Sequence, residues 1–331
     1  MPGFPQVTRN PMNTAKKNNC QKTDTPHDLL TMHITRIICT TVLAVVTAGC
    51  SRIQIAYNQL DWLLPYYVET YVELSDKQSS YLELQVNNLL AWHCSTQVNS
   101  YAELLRAASA DFQNGRMTRK RLEDYSGRIE RFWNDILLQA SPTIANLLLE
   151  TDEVQLAELY NSFEERNREW LANYNDVTQK ERRKNYITRM KNELKRWFGP
   201  LQPAQQQAVV EWSYHFQPLG LEGLQMRKAW QSRLHGLISH RDDRETFIAG
   251  IHDLLINPGE FRSAAYRERL AYNREKTIEL VYTTGALLNQ EQRHHMDHKA
   301  ESIVRELEKL SCADGNPGDS AKGALSYSQY Q

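Results

Sequence analysis

The stretch Leu74-Ser75-Asp76-Lys77-Gln78 has the form of a helix start, and it indicates the fold because similar starts recur along the chain. In a capping box, a serine at the cap position and a glutamine three residues later each bind the free backbone amide of the other. Further starts are predicted at Asp152 with Gln155, at residues 201–205, where Pro203 suits a first helical turn, at residues 288–292, at Asp242 with Glu245, and at Asn257 with Pro258 and Glu260. These starts divide the chain into successive helices.

Between these starts, apolar residues recur every three or four positions, which is the spacing of one helix face. The pattern predicts helices at about 76–112 with a bend near Ser95, 118–139, 142–149, 153–197, 203–216, 219–237, 242–256, 258–288 and 290–310. Residues 178–184 are polar on every side, so the helix at 153–197 either breaks there or projects into solvent. The prediction is an all-α, bundle-like domain over residues 50–311, as one body or as two halves meeting near residues 199–200, with a disordered tail at 312–331.

An apolar run followed by small residues and a cysteine occupies residues 37–51, IICTTVLAVVTAGCS. The run is far shorter than the ~20 residues of a membrane span and falls in the ~7–15 range of a signal peptide's apolar region. We therefore predict a lipoprotein signal peptide at residues 32–49, cleaved between Gly49 and Cys50, with lipid attached to Cys50. Residues 1–31 are then a mispredicted start or a disordered extension, and an ordinary membrane anchor or buried helix is the alternative for the run.

Charge and cysteine content narrow the class of partner. Ahead of Cys50 lie five of the 39 basic and two of the 40 acidic residues, so the mature chain has 34 basic and 38 acidic residues and a net charge of −4. The lack of a basic excess argues against binding to nucleic acid, and it leaves the acyl chains on Cys50 as the means of attachment to membrane lipid.

The cysteines that remain after Cys50 are Cys94 and Cys312. They can pair in an oxidising envelope, but their spacing does not decide whether they do.

The first segment after Cys50, residues 52–72, is rich in tyrosine and tryptophan at helical spacing. Pro65 is expected to kink or divide this helix. Two interpretations are open. The segment rests in the headgroup region of a bilayer just beyond the anchor, or it packs in the core of the domain, which we favour.

Four features together resemble an uncharacterised lipoprotein family of the Gram-negative envelope, a domain-of-unknown-function family. They are the lipid-site Cys50, the stretch YNQLDWLLPYYVETYVELSDKQ at 57–78, the Trp92-His93 pair before VNSYAELL, and KRWFGPLQPAQ at 195–205. The match departs at Cys94, where an arginine is expected. The resemblance implies an envelope location and a helical fold, and it implies no catalytic residue or cofactor.

Histidines supply the remaining candidate sites. His93, beside Trp92, is a ligand, a proton-transfer group or, as we favour, a hydrogen-bonded core histidine. His294 and His298 lie one helical turn apart, a spacing that can chelate zinc or copper, but a clear third ligand is missing and a solvated helix face is favoured. The motifs GxSxG, GxxxxGK, GxGxxG and HExxH are absent from the sequence, so we expect no enzyme and no cofactor.

Location and helical content favour a non-enzymatic outer-membrane lipoprotein that faces the periplasm and binds an unidentified envelope protein. Ser51 directly after the cysteine agrees with sorting to the outer membrane. The first alternative is a periplasmic chaperone or envelope-stress sensor, because the recurrent Leu-x-x-x-Gln starts are similar to the LTxxQ motifs of small periplasmic chaperones. The second alternative is a metal-handling protein or hydrolase.

Overall fold

A computed structural model describes residues 52–310 and Cys312, and these residues form twelve α-helices and one 3-10 turn without any strand. In chain order the helices are α1 (Arg52–Tyr57), α2 (Leu60–Glu69), α3 (Asp76–Thr96), α4 (Val98–Gln113), α5 (Arg119–Leu149), α6 (Glu153–Asn175), α7 (Gln179–Phe198), α8 (Pro203–His215), α9 (Gly220–Ile238), α10 (Arg244–Ile256), α11 (Ala264–Ala286) and α12 (Gln290–Glu308). The all-α prediction is confirmed. The signal peptide, Gly49, Cys50 and residues 313–331 lie outside the described residues.

Capping boxes start several of the helices where the sequence predicts them. The side chains of Ser75, Asp152 and Asn289 each accept a hydrogen bond from the backbone N–H of the glutamine three residues later. The side-chain oxygen of each glutamine in turn accepts a hydrogen bond from the backbone N–H of the cap residue. A further box, Thr178 with Glu181, begins α7. The polar stretch at 178–184 therefore breaks the long helical pattern rather than projecting as a continuous helix.

Pro142 does not start a new helix, and the predicted break after residue 139 is wrong. Helix α5 runs through the proline to Leu149. Proline lacks the N–H that would bond the carbonyl of Leu138, four residues back. The Ser141 hydroxyl donates to that carbonyl at 3.1 Å and so satisfies it.

Two other predicted starts are shifted. Asp243, not Asp242, caps α10 by accepting from the Thr246 amide at 3.2 Å. The start at Asn257 leads only into the 3-10 turn Pro258–Phe261, and α11 begins afterwards with Ser263 as its cap. The predicted helix at 258–288 is thus two elements.

The predicted bend near Ser95 falls between α3 and α4. The hydroxyl of Ser95 donates to the carbonyl of Ala91, and the hydroxyl of Thr96 donates to the carbonyl of Trp92. Such back-bonds compete with the helical amides and bend a helix. The interruption itself lies at Gln97.

Two hydrophobic cores hold the domain together, and each combines helices from before and after residues 199–200. The first packs α5 and α6 against α9 and α10 around Phe247, Ile251 and Leu254. The second packs α7 and α8 against α11 and α12 around Phe198, Val209 and Met296. Gly199, with a φ of 78°, ends α7 in the left-handed region that glycine tolerates.

A third, smaller cluster joins the two ends of the described chain. Cys94 and Cys312 form a disulfide, which decides the pairing that their spacing leaves open. Around it pack Ile53 and Leu307, and the Ile53 amide donates to Glu306 at 3.2 Å. The first and last helices are therefore fixed beside the junction of α3 and α4.

The favoured interpretation of residues 52–72, packing in the core of the domain, holds for Ile53 and Tyr57 of α1 but is wrong for much of α2. Pro65 is buried inside a continuous helix, and the chain instead breaks at residues 58–59. Four large side chains of this helix are exposed rather than in a core: Trp62, Leu63, Tyr66 and Tyr67. Among the described helices, none combines the length and apolarity that crossing a membrane requires.

Candidate functional site

An open apolar groove of about 490 Å³ runs between helices α4, α5 and α12. We call it the α4–α5–α12 groove. Its lining residues are Tyr101, Leu104, Leu105, Ala108, Tyr125, Ile129, Phe132, Trp133, Ile136, Ile303 and Leu307. Among the described residues, no charged side chain lines it.

The groove is open because no element of residues 52–310 covers one apolar stripe of α5. Tyr125, Ile129, Phe132 and Ile136 follow at three- and four-residue spacing and so share a helix face. Within the described structure, Ile129 is 58% and Trp133 is 60% exposed. The sequence predicts the stripe but not its exposure. Uncovered apolar grooves are common sites of ligand and protein binding, and this groove is therefore the candidate site.

One end of the groove is stiffened by a buried carboxylate. Asp111 is 3% exposed, accepts from the Tyr125 hydroxyl at 2.6 Å and is paired with Arg121 and Arg116. Burial alone would raise the pKa of Asp111, but hydrogen bonds from Tyr125, Arg121 and Arg116 outweigh it and lower the pKa. The network fixes the Tyr125 ring, which forms part of the groove wall.

The predicted candidate His93 lies behind the other end of the groove, between two tyrosines. Its Nδ1 is 3.1 Å from the Tyr57 hydroxyl and its Nε2 is 2.9 Å from the Tyr101 hydroxyl. The Tyr57 hydroxyl donates its single proton to the Leu90 carbonyl, so it can only accept from His93. The proton of His93 is therefore on Nδ1, which donates to Tyr57, and Nε2 accepts from the Tyr101 hydroxyl. Tyr101 in turn packs edge-on against Phe132 of the groove.

Burial shifts the titration of this cluster away from neutral pH. It lowers the pKa of His93 and raises that of Tyr57 to about 12. Both ring nitrogens of His93 are engaged, so the histidine supports the packing of α1, α3 and α4. The neighbouring candidate Trp92 lies partly exposed on α3, and its carbonyl oxygen accepts the Ser95 and Thr96 bonds of the bend.

His294 and His298 lie together on an exposed face of α12, with ring centroids 6.3 Å apart. Within residues 52–310 and Cys312, no group of three or more histidine, cysteine or acidic side chains is placed to hold a metal ion. The structure thus brings the two histidines together without adding a third ligand from another described element.

A second cleft, of about 590 Å³, opens between α6, α9 and Tyr71, which follows the end of α2. The Arg166 guanidinium stacks over Tyr71 at 3.9 Å and donates to the Thr70 hydroxyl at 2.9 Å. Arg227 and the rings of Trp170 and Trp230 complete the cleft. It is more polar than the α4–α5–α12 groove and is partly filled by its own arginine.

The capping glutamines form two reciprocal pairs that sequence reasoning missed. Gln78 and Gln155 exchange amide hydrogen bonds at 3.1 and 2.7 Å. Gln205 and Gln292 do the same at 3.2 and 2.8 Å. The helix-start pattern was the local signal for each glutamine, but nothing local indicated which starts meet. Their side chains are thus committed inside the domain.

Comparison with known proteins identifies a family but no activity. Residues 70–267, more than half of the chain, match the family DUF6279, a family of unknown function. No curated protein matches the chain significantly, and neither does any solved structure.

Proposed function

Because the chain belongs to DUF6279, a family of unknown function, we propose its role from the chain itself. The protein is a non-enzymatic lipoprotein, attached to the outer membrane through Cys50 and facing the periplasm. It binds an amphipathic helix of another envelope protein in the α4–α5–α12 groove. The uncovered apolar groove is the observation that carries this proposal.

The groove has the features of a helix-binding surface. Its lining residues come from three helices, α4, α5 and α12, and they leave an open apolar space of about 490 Å³ that a further helix can enter. A partner helix would insert apolar side chains at i, i+3 or i+4, and i+7. The groove also presents Trp133 and Tyr101, residue types that carry much of the binding energy in protein interfaces.

Two observations support a lipid-anchored envelope location. The run at 37–51 has the length and the terminal small residues of a lipoprotein signal ending at Cys50. The Cys94–Cys312 disulfide fits an oxidising compartment such as the periplasm, since disulfides are rare in reducing cytosol.

Binding rather than catalysis is supported by the state of the buried titratable groups. His93 and Tyr57 bond each other and neighbouring groups, with pKa values shifted away from neutrality. The negative charge of Asp111 is paired with the charges of Arg116 and Arg121. Each of these groups is committed to a structural contact rather than left free to exchange protons with a substrate.

The experiment places a photo-crosslinking phenylalanine derivative at position 133 of the full-length chain, expressed in a Gram-negative host. Tyr214 is the matched control position, because it is an aromatic residue with a similar exposure of 65% outside the groove. Intact mass and membrane fractionation of the same sample establish whether the chain begins at acylated Cys50. We expect a crosslink at 133, absent at 214, to a peptide with apolar residues at helical spacing.

Affinity for that peptide then tests the groove directly. Ile129→Glu places a charge in the groove and should weaken binding at least 10-fold, since interface anchors commonly contribute ~2 kcal/mol or more. Val154→Glu, at a site 68% exposed on α6, should leave binding unchanged. Equal crosslinking at 133 and 214, or equal affinity of the two variants, would overturn the proposal.

The chaperone alternative rests on the same groove and gives a different result. A chaperone would suppress aggregation of many unfolded clients at substoichiometric amounts, and Ile129→Glu would reduce that activity. The LTxxQ-like glutamines give this alternative no added support, because Gln78, Gln205 and Gln292 are buried in the amide pairs.

A further inference from the structure

We propose that the exposed face of α2 rests in the headgroup layer of the membrane that holds Cys50, and so sets the orientation of the domain on that membrane. This aromatic face consists of Trp62, Leu63, Tyr66 and Tyr67. The inference rests on the proposed lipid anchor. It adds a second, non-covalent contact with the same bilayer.

The aromatic face is a continuous surface. Trp62 and Tyr66 are one helical turn apart, as are Leu63 and Tyr67, so the four side chains form two adjacent rows. Their exposed fractions are 54%, 41%, 59% and 56% in chain order. The rings of Trp62 and Tyr66 lie 6.4 Å apart. Four large exposed side chains on a ten-residue helix are costly in water.

Residue chemistry matches the membrane interface rather than the hydrocarbon core. Tryptophan and tyrosine concentrate at headgroup level because each joins an apolar ring to a polar tip. Two of the three polar tips have partners within the protein: Trp62 Nε1 donates to Gln59 at 2.6 Å, and the Tyr67 and Tyr71 hydroxyls are 3.0 Å apart. The Tyr66 hydroxyl would bond the polar headgroups themselves.

The charged residues of α2 do not oppose this contact. Asp61 accepts from the Trp62 amide at 2.8 Å, and Glu69 accepts from the Ser79 hydroxyl at 3.2 Å. Asp61 lies outside the aromatic face. Glu69 follows Trp62 by seven residues and so ends the row of Trp62 and Tyr66, but its carboxylate bonds Ser79 of α3 and can stay in the hydrated headgroup layer.

Chain length keeps the aromatic face close to the proposed anchor. Trp62 follows Cys50 by twelve residues, which span at most ~43 Å even when fully extended. Helix α1 shortens that distance, since its six residues rise only ~9 Å. The Ile53–Glu306 bond and the Tyr57–His93 bond also fix α1 on the domain. An acylated Cys50 thus keeps the bilayer within reach of α2.

The acyl chains supply the attachment, whereas the aromatic face supplies orientation. Several acyl chains anchor a protein durably without further contact. Substitution in α2 should therefore leave the protein bound to membranes and change only the depth of its side chains.

The test uses full-length acylated protein in vesicles of phosphatidylethanolamine and phosphatidylglycerol, with and without lipids brominated near the headgroup end of the acyl chains. Bromine quenches tryptophan fluorescence at short range. We expect Trp62→Phe to remove most of the quenching that wild type shows. Trp133→Phe, at an equally exposed position in the groove, should leave the quenching unchanged, and circular dichroism checks that both variants fold.

The outcomes separate this inference from the proposed anchor. Acyl mass on Cys50 together with equal quenching in the two variants, or no quenching in wild type, overturns the membrane contact of α2 and leaves the anchor standing. A chain that lacks acyl mass overturns the anchor and this inference with it. Quenching lost only in Trp133→Phe would instead assign the membrane contact to the groove.

Discussion

His93 shows how burial and hydrogen bonding act together on one side chain. The Tyr57–Leu90 hydrogen bond assigns the imidazole to one tautomer, which donates to Tyr57 and accepts from Tyr101. Protonation would place a second N–H against Tyr101, whose hydroxyl would have to turn around, and would put a charge in a half-buried site. Burial for this reason lowers the pKa of His93 below its usual ~6.5.

Stability is predicted to fall as the pH drops below the normal range of histidine. Since the folded state binds the His93 proton less tightly than the unfolded state, the contribution of His93 is fully present above about pH 6.5. It declines as the pH falls through the lower pKa of the folded state. The slope of the free energy of unfolding against pH in that window should not exceed that of one proton.

His93→Gln is the matched variant, because an amide can both donate to Tyr57 and accept from Tyr101 but does not titrate here. Urea unfolding at several pH values between 7 and 5 measures the difference. We expect the variant to have a shallower pH dependence than wild type. If the free energy of unfolding depends on pH equally in the variant and in wild type, the pH dependence does not come from His93.

Among the helices, the glutamine pairs join helix starts that are distant in sequence. Gln78 donates to the Glu150 carbonyl and Gln155 to the Glu73 carbonyl, each two residues before the partner's cap. In the second pair, Gln292 donates to the Pro200 carbonyl, two residues before Gln202. The Leu287 carbonyl, two residues before the Asn289 cap, accepts a hydrogen bond from the side chain of Gln202 instead of Gln205. The same device thus closes α3 on α6 and α8 on α12.

Gln205→Ala should destabilise the protein by about 1–3 kcal/mol, the cost of leaving buried polar partners unpaired. Gln205 is fully buried and donates to the Thr284 carbonyl at 3.0 Å, so both this oxygen and the amide of Gln292 lose a partner. Chemical denaturation measures the loss. Gln207→Ala, on the exposed side of the same helix, should change stability by less than ~0.5 kcal/mol.

The sequence predicts the features of these helices that depend on neighbouring residues, and it does not predict those that depend on distant ones. The boxes at Ser75, Asp152 and Asn289 involve residues three apart, so each start is visible in the sequence. The pairing of Gln78 with Gln155 spans 77 residues and has no local sign. Pro142 misled the prediction because its effect depends on what the Ser141 hydroxyl bonds.

Exposure is the property that periodicity does not predict. The stripes of α2 and α5 are apolar at helical spacing whether a neighbour covers them or not. Trp62 and Trp133 were therefore indistinguishable from core residues such as Trp212, which is 7% exposed in the second core. For this reason the sequence predicts the helices around the candidate site but not the site itself.

In the molecule as a whole, the disulfide closes most of the described chain into one loop. Cys94 and Cys312 are 218 residues apart, and both hydrophobic cores lie between them. A crosslink of that span acts chiefly on the unfolded chain, whose freedom it restricts. It also keeps α1 and the end of α12 packed beside α3.

Reduction of the disulfide is predicted to destabilise the whole domain by about 2–5 kcal/mol. Thermal unfolding with and without reductant measures this, and Cys312→Ser should reproduce the loss. Reductant should have no further effect on Cys312→Ser, which is the internal control. If the cores unfold together, tryptophan fluorescence and circular dichroism will shift equally. A melting temperature that is the same in reduced and oxidised protein would contradict a stabilising bond between Cys94 and Cys312.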